Sequence, residues 1–466
     1  MSTATTTLDT PWQDGKRWLW LLSPALPLLA LSSLLGYLAT GLPLLLWGGP
    51  VLLYGLIPLA DWWLGTDTTN PPEAAVPGLE DDAYYRAIVY AYIPLQYAMT
   101  ALAAWMLATQ ALAGWDIAGL LLTCGIINGV GINTAHELGH KTNSFERWLA
   151  KLTLAPVAYG HFFVEHNRGH HKHVATPEDP ASSRMGESFW AFLPRTVIGS
   201  LRSAWGIERA RLQRLGHGPW HWRNDILQAY ALTGLLFGAL TAWLGWLVLP
   251  FLLLQAAFGA SLLEVVNYLE HYGLLRQKKA DGRYERCRPE HSWNSNHTVT
   301  NLFLYQLQRH SDHHAHPTRR FQALRHFDES PQLPAGYASM ILLAYLPPLW
   351  FRVMDPKVVA HYEGDLTRAN LDPRKRTKLL SRYPARPAPA AADPRAPTAT
   401  AAGDPQQAAD WQCPDCHYVY AQARGCPDEG YAPGTPFAAL PDSFSCPDCA
   451  VRDKPDFQPL PARAAA

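Results

Sequence analysis

The 466-residue chain lacks any excess of charge: 39 basic side chains balance 39 acidic ones, and no long basic stretch occurs. That excludes an electrostatic footprint for nucleic acid. Cysteine is scarce over most of the length, because five of the seven lie between positions 413 and 449. Charge is also absent locally, from residues 18–60, 87–115, 117–135 and 226–263. A hydrocarbon layer about 30 Å thick takes roughly 20 apolar residues per helix, so these runs predict six membrane spans. The longer runs divide at Gly41-Leu42-Pro43 and near Gly245-Trp246. A cleavable leader is the rival for the first run, but that run passes directly into a second apolar run without a polar start.

Lys16 and Arg17, with Lys141, Arg147, Lys151, Arg168 and Lys172 after the fourth span, place these segments on the cytoplasmic face. Six spans return the C-terminus there as well. Residues 338–352 are apolar but short and broken by Pro347-Pro348, which predicts a buried or interfacial helix and not a seventh span. Residues 384–410 hold six prolines and eleven alanines among 27 positions. Such a composition buries too little apolar surface to fold, so it reads as a linker between residues 1–383 and a small unit at 411–457, with 458–466 as a tail. A unit that small needs a staple, and clustered cysteines facing a reducing compartment point to metal before disulfides. Cys124 is expected to pack within a span, and Cys287 receives no role.

Of nineteen histidines, nine stand out by their spacing: His136 and His140; His166, His170 and His171; His310, His313 and His314; with His271 ending the sixth span. Positions three or four apart share a helix face, so each cluster presents imidazoles in one direction. Even-numbered spans from a cytoplasmic start end on the same side, which brings all four elements to one surface. Nine imidazoles are too many for one metal ion and suit two. His136-Glu-Leu-Gly-His140 also matches the paired histidines of zinc proteases, but that chemistry leaves the other clusters unexplained. A metal transporter is the other rival, though its ligands would line the spans, not follow their ends. Imidazole alone leaves zinc, copper, iron and nickel open. Glu165, Glu270 and Asp312 adjoin the clusters and are candidate outer-shell partners. His161, His173, His291, His297 and His316 are expected near the site without ligating.

HELGHK at 136–141, EHNRGHH at 165–171, NYLEHYGLLRQ at 267–277 and LQRHSDHH at 307–314 resemble the membrane-bound alkane 1-monooxygenases, relatives of membrane fatty-acid desaturases; WNSNH at 293–297 and HPTRRFQ at 316–322 strengthen the likeness. The tail resembles rubredoxin, with Cys413-Pro-Asp-Cys416, Cys446-Pro-Asp-Cys449 and GTPFAALPDSFSCPDC at 434–449. A zinc ribbon is the alternative for four such thiolates, and the surrounding aromatics favour rubredoxin. His417 and Ala450 stand where rubredoxins usually carry glycine.

The resemblance implies an all-α integral membrane domain with six transmembrane helices and a cytoplasmic His-rich cap, plus a small rubredoxin-like iron-binding domain. It implies a diiron centre on the nine named histidines, one rubredoxin Fe(Cys)4 on Cys413, Cys416, Cys446 and Cys449, and terminal hydroxylation of medium-chain n-alkanes with dioxygen. A desaturase acting on an acyl chain is the runner-up. No nucleotide-binding fingerprint occurs, so a separate NAD(P)H-dependent rubredoxin reductase is the expected partner. The expected location is the inner (plasma) membrane of a bacterium, with lipid bilayer around the spans.

Overall fold

The computed structural model describes residues 12–384 and 410–460. Six of its helices are long and apolar enough to cross a membrane: α1 (Leu19–Thr40), α2 (Pro43–Leu64), α3 (Ala83–Thr109), α4 (Gly114–Gly139), α8 (Asp225–Leu244) and α9 (Val248–His271). Between α4 and α8 lie α5 (Ser144–Leu154), α6 (residues 162–173) and α7 (Phe189–Arg214). Turns fall where glycine supplies a left-handed backbone: Gly41 closes α1 at φ 72°, and Gly245 closes α8 at φ 96°. The charge-free run at 87–115 understates α3, which starts four residues earlier because the Asp82 carboxylate caps the Tyr84 N–H at 2.8 Å.

α4 is the central span. Its apolar window is 72% buried, against 17% for α2 and 28% for α8. It lies along α9 at very close range: a Cβ placed on Gly129 would come within 2.8 Å of the Gly259 carbonyl oxygen. A Cβ on Gly259 would meet the Gly125 carbonyl oxygen at the same distance. Small residues four apart are what lets two membrane helices meet backbone to backbone, where dispersion and not the hydrophobic effect holds them. Buried polar groups fix the register: Asn128 of α4 donates to the Gln255 side-chain oxygen of α9 at 2.8 Å, and Gln255 donates to the Pro156 carbonyl at 2.7 Å. Exposed Trp62, Trp63, Trp243 and Trp246 stand at span ends, where amphipathic rings suit the lipid–water boundary.

Past the spans, α10 (Thr298–Phe303), α11 (His310–Ala315), α12 (Tyr337–Ala344) and α13 (Pro347–His361) complete the cap. The apolar stretch at 338–352 forms α12 and the start of α13, bent by 120° at the proline pair. Asp61 of α2 ties the spans to the cap by accepting the Val299 and Thr300 N–H groups at 2.9 and 3.0 Å.

Of the linker expected at 384–410, residues 385–409 lie outside the described residues. The C-terminal unit is a three-stranded antiparallel sheet, ordered β2 (Val419–Ala421), β1 (Asp410–Gln412), β3 (Gln458–Pro459). Gln412 pairs with Gln458, so the first residues of the expected tail belong to this sheet. Trp411 stacks on Phe437 at 4.4 Å between ring centroids over a small aromatic core.

Candidate metal centres and electron-transfer surface

The nine histidines converge from four elements into two adjoining sets. His136, His140, His166, His171 and His313 form one; His170, His271, His310 and His314 form the other. Each set draws on three elements: α4, α6 and α11 for the first, and α6, α9 and α11 for the second. The middle cluster supplies both sets because residues Glu165–His170 of α6 form a widened, π-type turn. Such turns recur at functional sites. Here the widening puts His166 and His171, five apart, on a common side with their Nε2 atoms 3.1 Å apart, while His170 turns to the other set. In α11, His310 and His314 share a face with Nε2 atoms 2.8 Å apart, and His313 faces His136 at 2.7 Å and His171 at 3.0 Å.

These contacts test whether metal fits. A neutral imidazole carries one proton on two nitrogens. Burial holds the rings of His140, His166, His171, His310, His313 and His314 well below the ordinary imidazole value, with repulsion from neighbouring histidines adding to it. His313 Nε2 has two ring nitrogens within reach, and the buried Nε2 atoms of His140 and His170 have no hydrogen-bond partner. Converging lone pairs without protons to separate them are the donor set of a cation, and two sets accommodate two. A diiron centre fits these residues.

The carboxylates beside the clusters are placed differently from one another. Asp312 is engaged by both Arg319 contacts at 2.9 Å and by the Arg325 N–H at 2.8 Å. Glu165 is buried with neither oxygen hydrogen-bonded, and burial pushes it up to about 8. Glu270 accepts the Tyr337 hydroxyl at 2.8 Å. Sequence reasoning missed Asp179, whose Oδ2 lies 2.9 Å from His170 Nδ1, while the Ser182 hydroxyl donates to the same oxygen. Burial alone would raise the Asp179 carboxyl, but His170 and Ser182 bring it down to about 2. It lies nine residues from His170 across a turn, and no local spacing rule points to it. Of the flanking histidines, His161 pairs with the Tyr230 hydroxyl at 2.8 Å, His297 with Ser295 at 2.8 Å, and His291 with Glu285 at 3.3 Å. His173 is half-buried and held low by burial. His316 stands 4.0 Å from Asp312.

In the C-terminal unit, Cys413, Cys416, Cys446 and Cys449 bring their four sulfurs together. Cys413 and Cys449 lie 3.8 Å apart, and Cys416 and Cys446 lie 3.5 Å apart, separations suited to four thiolates around one ion. The residues after the two knuckles, His417 and Ala450, hold left-handed backbone at φ 60° and 57°. Cys426 is buried apart from this cluster.

Comparison with known proteins adds the decisive observation. Over 373 residues the chain is 50% identical to the alkane 1-monooxygenase of Acinetobacter baylyi, covering 79% of this chain and 91% of that protein. It is 50% identical to alkane 1-monooxygenase 1 of Alcanivorax borkumensis over 369 residues, 78% of this chain and 90% of the relative. The chain belongs to the alkane 1-monooxygenase family. The enzyme of Ectopseudomonas oleovorans aligns equally well, at 50% identity over 377 residues, 79% of this chain and 92% of that one. Residues 113–344 match the fatty acid desaturase family and residues 410–457 match rubredoxin. The alkane 1-monooxygenase region and the rubredoxin are thus one polypeptide here, and the second touches the first. Arg168 and Arg214 contact Glu429 at 2.9 and 3.1 Å, Lys172 contacts Asp453 at 2.9 Å, and Arg286 contacts Asp456 at 3.1 Å. Between them lies a cavity of about 710 Å³, with Gly139, His140 and Asn167 on one wall and Cys446, Pro447 and Ala450 on the other.

Proposed function

We propose that this monooxygenase converts medium-chain n-alkanes to 1-alkanols with dioxygen, drawing electrons through its own rubredoxin. On this reading the nine histidines hold two irons, the four cysteines hold a third, and both sites face the cytoplasm from a bacterial inner membrane. The observation that carries the substrate reading is an apolar pocket between the spans, one of whose lining residues, Tyr337, hydrogen-bonds Glu270 beside His271. Leu26, Leu53, Ile126, Val130, Leu262 and Ile341 line it. Its polar groups gather at one end: Asn133, one turn before His136, with Thr300 and Tyr337. An alkane offers no hydrogen bond, so such a pocket selects by shape and orients one chain end toward the polar end. Bound iron supplies the activation of dioxygen; the chain supplies a dry, shaped approach and fixed imidazoles.

The electron route is supported by the docked geometry. The knuckle carrying Cys446 faces the cavity whose opposite wall includes His140. The ion pairs around it have partly exposed side chains, so each contributes about 0.2–1 kcal/mol at most. Weak docking suits a carrier that must also meet a separate NAD(P)H-dependent reductase, and a tether maintains an effective concentration on the order of millimolar.

Two measurements test this. Purified enzyme with rubredoxin reductase, NAD(P)H, ¹⁸O₂ and a series of n-alkanes should yield 1-alkanols carrying one labelled oxygen; an alkene from a fatty-acyl substrate, without alcohol, would establish a desaturase instead. Cleavage within 384–410 should sharply lower turnover at low protein concentration, with excess free rubredoxin restoring it. Full turnover after cleavage with no rubredoxin present would show that electrons arrive by another path.

A further inference from the structure

Glu270 is the penultimate residue of α9 and is 1% exposed. Its Oε2 lies 3.2 Å from His310 Nε2. That nitrogen also faces His271 Nε2 at 3.2 Å and His314 Nε2 at 2.8 Å, so the carboxylate adjoins a nitrogen on which two other imidazoles of the four-histidine set converge. The other ring nitrogen of His310, where an outer-shell carboxylate would bind, is buried and without a partner. The second Glu270 oxygen accepts the Tyr337 hydroxyl at 2.8 Å, and Tyr337 also lines the apolar pocket.

We propose that Glu270 is a tenth iron ligand, completing the four-histidine set, and that Tyr337 positions it from the wall of the pocket. An imidazole nitrogen that holds iron has no proton to donate. A carboxylate oxygen 3.2 Å from it therefore receives no hydrogen bond from that nitrogen and lies within reach of the same cation. The five-histidine set already has five donors and the other set four, so the carboxylate brings the two to equal number while making the irons chemically unlike. The ligand nearest the polar end of the pocket is then an oxygen anion, tied by one hydrogen bond to a side chain that the bound hydrocarbon touches. This rests on the assignment of the nine histidines to two irons.

The test uses the full chain loaded with ⁵⁷Fe. Wild-type protein should hold two irons besides that of the rubredoxin, giving two unlike Mössbauer doublets. Glu270→Gln keeps the acceptor for Tyr337 and removes the anionic donor; it should shift or lose one doublet, with iron falling from two toward one, and leave the other doublet unchanged. Tyr337→Phe should keep both irons and alter the same doublet alone. Glu270→His, which restores a donor atom, should recover iron lost in Glu270→Gln. Unchanged doublets and iron content in Glu270→Gln would overturn the proposal, as would loss of both irons there without recovery in Glu270→His. Wild-type protein lacking two histidine-held irons would instead defeat the ligand assignment beneath it.

Discussion

Single side chains orient the clustered histidines, and Asp179 does so most directly. Its carboxylate lies 2.9 Å from His170 Nδ1 and is itself held by the Ser182 hydroxyl at 2.6 Å, which fixes the ring tautomer so that Nε2 faces the four-histidine set. Partners of this kind contribute about 10- to 100-fold to metal affinity. Asp179→Asn should therefore speed loss of one histidine-held iron to a chelator by a factor in that range, measured as iron retained against time, and leave rubredoxin iron in place. In the rubredoxin, His417 and Ala450 occupy left-handed backbone, which costs a side-chain-bearing residue about 1–2 kcal/mol. His417→Gly and Ala450→Gly should each raise the midpoint of thermal unfolding followed by the iron–thiolate absorbance. An unchanged or lowered midpoint would mean that other contacts offset the backbone strain. The unusual residues at these two knuckle positions were visible in the sequence because the four cysteines set the frame; Asp179 was not, because only the turn after α6 brings it to His170.

At the level of elements, the approach of α4 to α9 sets the distance between the first histidine cluster and His271. The glycine contact permits it, and the Asn128–Gln255 hydrogen bond at 2.8 Å sets its register. Gly129→Leu has no room to adjust, since the obstructing atom is the Gly259 backbone oxygen. Overpacking of this kind costs about 1–3 kcal/mol. The expected outcome is a protein that inserts in the membrane but holds less histidine-bound iron, read by metal analysis of detergent-purified protein. The six spans were legible because bilayer thickness imposes a length and forbids charge. The widened turn in α6 was not. Spacing by three and four groups histidines within a cluster, whereas the fold divides every cluster but the first between two sets, and that division depends on which element lies opposite.

Across the whole molecule, the two iron-binding units meet through a basic patch on one side and acids on the other. Arg168, Lys172, Arg214 and Arg286 face Glu429, Asp453 and Asp456. Salt at 0.5 M and above shortens screening to a few ångströms, so turnover supported by the tethered rubredoxin should fall with ionic strength while iron content stays constant. Glu429→Lys should reproduce the loss at low salt, and pairing it with Arg168→Glu and Arg214→Glu should recover part of it. Turnover independent of salt would show that the apolar surface around the knuckles carries the docking.

The sequence alone determined the parts: charge-free runs of span length, imidazoles at helical spacing beyond even-numbered spans, and two cysteine knuckles after a proline–alanine stretch. Each follows from local chemistry, because solvent, helix period and ligand type act on neighbouring residues. Tertiary structure decided the assignments: which histidine joins which set, which acid orients His170, where Glu270 directs its oxygen, and which face of the rubredoxin meets the histidine layer. Those depend on side chains between nine and well over two hundred residues apart. Their proximity is set by helix packing within a few ångströms, a quantity with no local signature.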